Sequence, residues 1–227
     1  MRRIAPVTLV AVLLVVSGCG GSKPANNTVL VPTAPPAQTA VIRASTPSLA
    51  GITTPEPPSN AVTGVVDQLR LKITELPRDF GYGQFAAYQS NDDAVSGFDD
   101  PVGVLDRMTK TGRLGGYVQQ LTTPGGPTAA YTIDVWKDAA GAKAYFDQFP
   151  RPDKVLSYKV ITLPQPLGDQ SFAYQYDAGS KTGYSIAWRR GRFILGAGDS
   201  FASGKESLDR IMQIVNLLDQ KAQSLPQ

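Results

Sequence analysis

The chain predicts an α+β fold: a mainly antiparallel sheet packed against two to three helices, preceded by a signal peptide and a disordered linker. Three observations lead there. The 8 Phe, 9 Tyr and 2 Trp all fall between Phe80 and Phe201, so apolar bulk is confined to one region. Within it, several short segments alternate apolar and polar residues, the period of a half-buried strand, and hairpin-length breaks join them. Two or three other segments carry apolar residues at three-four spacing, the period of a helix with one buried face. Many strands with short connections favour antiparallel pairing, and the helices then cover the sheet. The domain so defined spans residues 65–225, enough to bury about 70% of its unfolded surface.

The elements follow in order. Residues 65–74 fit a strand or a helix, and Leu76-Pro77 breaks them. Residues 84–88 read as a short strand. Asp99 or Asp100 caps a helix with Pro101 at its first position; Val102, Leu105, Met108 and Thr109 form its apolar face, and Gly112 closes it. A strand follows at 116–121, then a loop with Pro124-Gly125-Gly126-Pro127. Residues 130–137 alternate, with Tyr131 and Trp136 on opposite faces. Asp138 caps a helix with a stripe of Ala142, Tyr145, Phe146 and Phe149. Strands are expected at 158–163, stopped by Pro164, and at 170–176. A turn holding Gly179 leads to a strand at 183–189, and a tight turn at Gly191 to a return strand at 193–198. The last helix, 204–223, presents Leu208, Ile211, Met212, Val215 and Leu218. This order is loosely similar to the PsbP/Mog1-type sandwiches of some bacterial lipoproteins.

The first 18 residues have the layout of a secretory signal: Arg2 and Arg3, an apolar stretch of about 13 residues, then small residues. The apolar stretch is shorter than the roughly 20 residues a membrane-spanning helix needs. Val16-Ser17-Gly18-Cys19 resembles the lipobox of bacterial lipoproteins, and Cys19 is the one cysteine of the chain. The resemblance implies cleavage before Cys19, a diacylglycerol on its sulfur and a further acyl chain, such as palmitate, on its amine. At ~0.8 kcal/mol per buried methylene, one chain binds a membrane marginally and a second makes the anchor stable. The expected location is therefore the extracytoplasmic face of the cell membrane or the outer envelope. An ordinary signal peptide with a chance cysteine is the alternative. Residues 19–64 then form a linker rich in Pro, Thr and Ser that cannot bury enough apolar surface to fold. Where polyproline-like it extends at ~3.1 Å per residue, so it could hold the domain up to roughly 100 Å from the bilayer.

Composition removes several chemistries. There is no histidine, so neither a Ser-His-Asp nor a Cys-His pair can form, and there is no imidazole for a metal. A single cysteine allows no internal disulfide and no thiolate zinc cluster. The net charge of +3 falls to about +1 once Arg2 and Arg3 leave with the signal, so nothing global favours nucleic acid. The segment 198–205, GDSFASGK, has five residues between its glycines where a phosphate loop has four, and Glu206 stands where Ser or Thr would bind magnesium. Ser185 lacks the second glycine of a nucleophile elbow. Asp92, Asp93, Asp99 and Asp100 lie close together, but without EF-hand spacing they read as helix caps. No cofactor or metal is expected.

Two candidate ligand sites remain. Arg189, Arg190 and Arg192 flank Gly191, where guanidinium groups could meet lipid headgroups, wall polymers or an acidic partner, or could simply keep a sheet edge soluble. Tyr174, Tyr176, Tyr184 and Trp188 could line an aromatic pocket on one sheet face, or could be core. The expected function is a non-enzymatic, lipid-anchored binding module whose partner is an envelope protein, a polymer or a small apolar ligand. An envelope hydrolase using Asp and Glu chemistry and a structural assembly lipoprotein are the alternatives.

Overall fold

The computed structural model describes residues 60–226 except 97, 99, 124–127, 150–157, 178–180 and 203–206. The signal peptide, Cys19, the linker, the proline loop at 124–127 and Gly179 lie outside the described residues. The elements are α1 (Asn60–Leu69), β1 (Gly81–Gln89), α2 (Asn91–Val95), α3 (Pro101–Lys110), β2 (Arg113–Thr122), β3 (Thr128–Trp136), α4 (Ala139–Asp147), β4 (Tyr158–Val160), β5 (Gln170–Asp177), β6 (Lys181–Arg190), β7 (Phe193–Ala202) and α5 (Leu208–Gln223). The fold is α+β, as expected. One seven-stranded sheet runs in the order β1-β2-β3-β7-β6-β5-β4, and every neighbouring pair is antiparallel.

The chain builds that order from two meanders. Strands β1 to β3 lay down one half. The connection through α4 then crosses to the far edge, and β4 to β7 return inward until β7 pairs with β3. Helices cover both faces. On one face α1 and α5 bury Val66, Leu69, Tyr131, Ile133, Ile186, Trp188, Leu195, Ile211 and Val215 together. On the other, α2, α3 and α4 enclose a smaller core of Val95, Val104, Met108, Trp136, Phe146 and Ile194. Tyr131 and Trp136 thus sit on opposite faces. No helix among the described residues is long and apolar enough to cross a membrane.

Differences from expectation are local and have local causes. Residues 65–74 are not a strand: a helix starts at Asn60, five residues ahead of the expected domain start, and Val62, Val66 and Leu69 supply its buried face. A window opening at 65 loses Val62 and with it the helical period. In α3, Val102 is 77% exposed, and the buried pair is Val104 and Met108, four residues apart. Strand β4 is three residues long and stops before Pro164. The short α2 comes from a capping box: the Ser90 hydroxyl accepts the Asp93 N–H, and the Asp93 carboxylate accepts the Ser90 N–H at 3.0 Å.

The other caps lie where the sequence puts them. Asp100 accepts the Gly103 N–H at 2.9 Å and Asp138 accepts the Gly141 N–H at 2.8 Å. Gly112, at φ 77°, ends the turn after α3. Replacing either cap, Asp100→Ala or Asp138→Ala, is expected to cost about 1 kcal/mol. Urea unfolding midpoints of the single variants check this, and an unchanged midpoint for both would remove the capping account.

Candidate functional site

The β6–β7 turn brings Arg189, Arg190 and Arg192 together, with Gly191 at φ 52° supplying the left-handed residue that a two-residue hairpin turn requires. Two of the three guanidinium groups are committed inside the domain. Arg189 is 8% exposed; it donates to Gln170 Oε1 at 2.9 Å and to the Gly191 carbonyl at 3.0 Å, and it lies 2.8 Å from Asp169 Oδ2. Asp169 also accepts the Gly191 N–H at 2.9 Å, so one carboxylate ties the turn to the segment before β5.

Arg190 makes a two-pronged pair with Asp219 of α5: Nε to Oδ1 and Nη2 to Oδ2, both 2.7 Å. The hydrogen bonds it donates to this carboxylate push the Arg190 guanidinium even above its ordinary range. Asp219 accepts two more bonds, from Trp188 Nε1 at 3.1 Å and from Gln223 Nε2 at 2.9 Å. Its acceptor capacity is then full. Arg192 differs: its guanidinium carbon stands 5.4 Å from the centre of the Phe193 ring, and its buried Nε has no hydrogen-bond partner. Of the two readings of this turn, binding of headgroups, polymers or an acidic partner and a charged hairpin, the pairing of Arg189 with Asp169 and of Arg190 with Asp219 accords with the second. Beside the turn, Asp169, Arg190, Gly191 and Gln223 line a cleft of about 210 Å³. That is below the roughly 300 Å³ at which small-molecule pockets begin.

The aromatic site is corrected. In the β5–β6 register Tyr174 lies opposite Ser185 and Tyr176 opposite Gly183, while Tyr184 lies opposite Gln175. Directly opposed residues point to the same face, so Tyr174 and Tyr176 are on one face and Tyr184 and Trp188 on the other. They line no common pocket. Trp188 is fully buried under α5 with its N–H on Asp219, and Tyr174 is 1% exposed among Phe172 and Tyr158. Tyr184 packs partly buried against the larger core.

Sequence reasoning missed three polar groups. Asp219 stands on the apolar stripe of α5, four residues after Val215; a carboxylate at a core-facing position signals a buried partner, which could have been read. Arg113, whose side chain is fully buried, donates to Asp134 Oδ1, to Asn91 Oδ1 at 2.7 Å and to the Ser90 carbonyl at 3.2 Å, joining β2, β3 and α2. Asp199, in the middle of β7, is 4% exposed, and burial drives its carboxyl up to about 7. In the acid cluster, Asp93 and Asp100 serve as caps, and Asp99 lies outside the described residues. Among the described residues, no group of three His, Cys, Asp or Glu side chains is placed to hold a metal ion.

No family model matches the chain, and no curated protein matches it. Among solved structures, the chain is similar to the extracellular domain of PknH from Mycobacterium tuberculosis, at 12% identity and a TM-score of 0.47, over 75% of this chain and 99% of that one. It is also similar to a GTP binding regulator from Thermotoga maritima, at 12% identity and a TM-score of 0.37, over 75% of this chain and 95% of that one. Likenesses at this level carry no argument about function.

Proposed function

We propose that this protein is a lipid-anchored extracytoplasmic module that acts by binding an envelope protein or polymer rather than by catalysis. The observation that carries the reading is the position of its one cysteine, directly after Val16-Ser17-Gly18 and a short apolar stretch. The mature amino terminus would be acylated Cys19, and the linker would hold the domain away from the bilayer. A small apolar ligand is not favoured, because the aromatic side chains put forward for it lie on opposite faces of the sheet and are packed.

Cys19→Ala is expected to move the protein from the membrane fraction to the soluble or secreted fraction, with lipid anchoring lost outright. Fractionation of cells carrying the wild type and the variant, with intact mass of the wild-type protein, makes the test. An unmodified thiol at position 19, or a variant that still sediments with membranes, would remove the reading.

A further inference from the structure

The β6–β7 ladder has a substitution at its centre. The paired register runs through Thr182 with Phe201 and resumes at Ser185 with Gly198; between them the Tyr184 N–H donates to the Asp199 side chain, Oδ1, at 2.8 Å. The Asp199 carbonyl is instead taken by the Tyr176 hydroxyl at 2.6 Å. Gly183 permits this: a Cβ there would stand 2.1 Å from that carbonyl and 2.6 Å from the Tyr176 oxygen. The second carboxyl oxygen, Oδ2, is buried and has no hydrogen-bond partner.

The charge that acts on this carboxyl comes from α5. Arg210, in the first turn of that helix, has its guanidinium carbon 5.2 Å from the Phe80 ring centre and 6.0 Å from that of Phe201. Its buried Nε is also without a hydrogen-bond partner. Among the described residues, the other elements facing Asp199 bring no ionised group to it: β3 places Ala129 opposite, β5 brings the Tyr176 hydroxyl, and β6 brings the Tyr184 amide.

We propose that Asp199 and Arg210 form a proton-operated latch between the β6–β7 ladder and the first turn of α5, closed while Asp199 keeps its proton and loosened when that proton leaves to solvent. In the closed form the carboxyl is neutral, Oδ1 holds the Tyr184 amide, and Arg210 rests between the two phenylalanine rings. Loss of the proton leaves a buried anion with one oxygen lacking a protein partner, an arrangement of high cost. The remedy is Arg210, the cation that acts on this carboxyl, whose unpartnered Nε–H turns to Oδ2 and leaves the rings, taking the first turn of α5 out of its seat. The sign follows from linkage. The folded carboxyl titrates at about 7 and the unfolded one at about 3.9, so the folded state holds the proton more tightly. The stabilisation is complete below the unfolded value and is lost as pH rises through the folded one.

Hydrogen exchange of the full chain, corrected for the intrinsic rate and followed from about pH 6 to about pH 8.5, tests the latch. Segments containing Tyr184, Asp199 and residues 208–212 are expected to lose protection roughly 10- to 30-fold over that range. Asp199→Asn should flatten the change, and Arg210→Met, which keeps the apolar stem but not the cation, should move its midpoint upward. A wild type whose protection does not change, or an Asp199→Asn protein with the same change, would overturn the proposal. If Asp199→Asn does not fold, the wild type decides alone through the carbon-13 shift of the Asp199 carboxyl: titration near 7 supports the latch and titration below about 5 overturns it.

Discussion

Asp219→Ala is expected to destabilise the domain by about 3–5 kcal/mol, the range found when one member of a buried ion pair is removed. The argument rests on what the carboxylate serves. It takes both prongs of Arg190, the indole N–H of Trp188 and the amide of Gln223, and its side chain is 9% exposed. Alanine leaves a guanidinium that is itself 22% exposed without its counter-charge, and a buried indole N–H without an acceptor. It also cuts the polar ties that Asp219 makes from α5 to Trp188 and Arg190 of β6. Asp219→Asn should lie between alanine and wild type: it keeps one acceptor oxygen but sets an NH₂ group against the Arg190 fork. Guanidinium unfolding curves with a common slope make the measurement. A loss under about 1 kcal/mol for alanine would mean the pair is solvated and contributes as a surface pair does.

Trp188→Ala should cost a similar amount, about 3–5 kcal/mol, for a different reason. The ring is fully buried in the larger core, between the sheet and α5, and no small shift of a helix can fill the volume of an indole. Thermal and denaturant unfolding read the loss. Trp188→Phe separates the causes, since it keeps most of the apolar bulk and drops the N–H bond to Asp219; it should lose a minor part of the alanine effect. The two sites touch, so their losses should not add. A double variant, Asp219→Ala with Trp188→Ala, is expected to fall short of the sum by about 0.5–3 kcal/mol, and strict additivity would deny the 3.1 Å bond between them.

What was legible in the chain was whatever nearest neighbours decide. The caps at Asp100 and Asp138 need only a side-chain oxygen three residues ahead of an N–H. The turn at Gly191 needs only a residue free to take positive φ. The stripe of α5 and the alternation of β3 and β6 repeat within a few residues, and they held. The start of α1 was lost because its first buried residue, Val62, lies inside a proline-rich stretch that masks the period. Of the candidate site, the arginines and aromatics were visible as residue types, but their partners were not. Asp169 lies 20 positions from Arg189, and Asp219 lies 29 positions from Arg190, so spacing along the chain is silent on both pairs.

By itself the sequence determined the class of the fold, most of its strands and helices, their caps and tight turns, because these follow from periodicity and backbone preference over a few bonds. Tertiary structure alone decided that β7 closes the sheet beside β3, that Tyr174 and Tyr184 face opposite ways, and that two of the three arginines of the turn, Arg189 and Arg190, are paired from within. It also decided that Asp199 is buried. Each of these depends on register and on helices laid over the sheet from distant parts of the chain, where a shift of one residue exchanges the two faces of a strand.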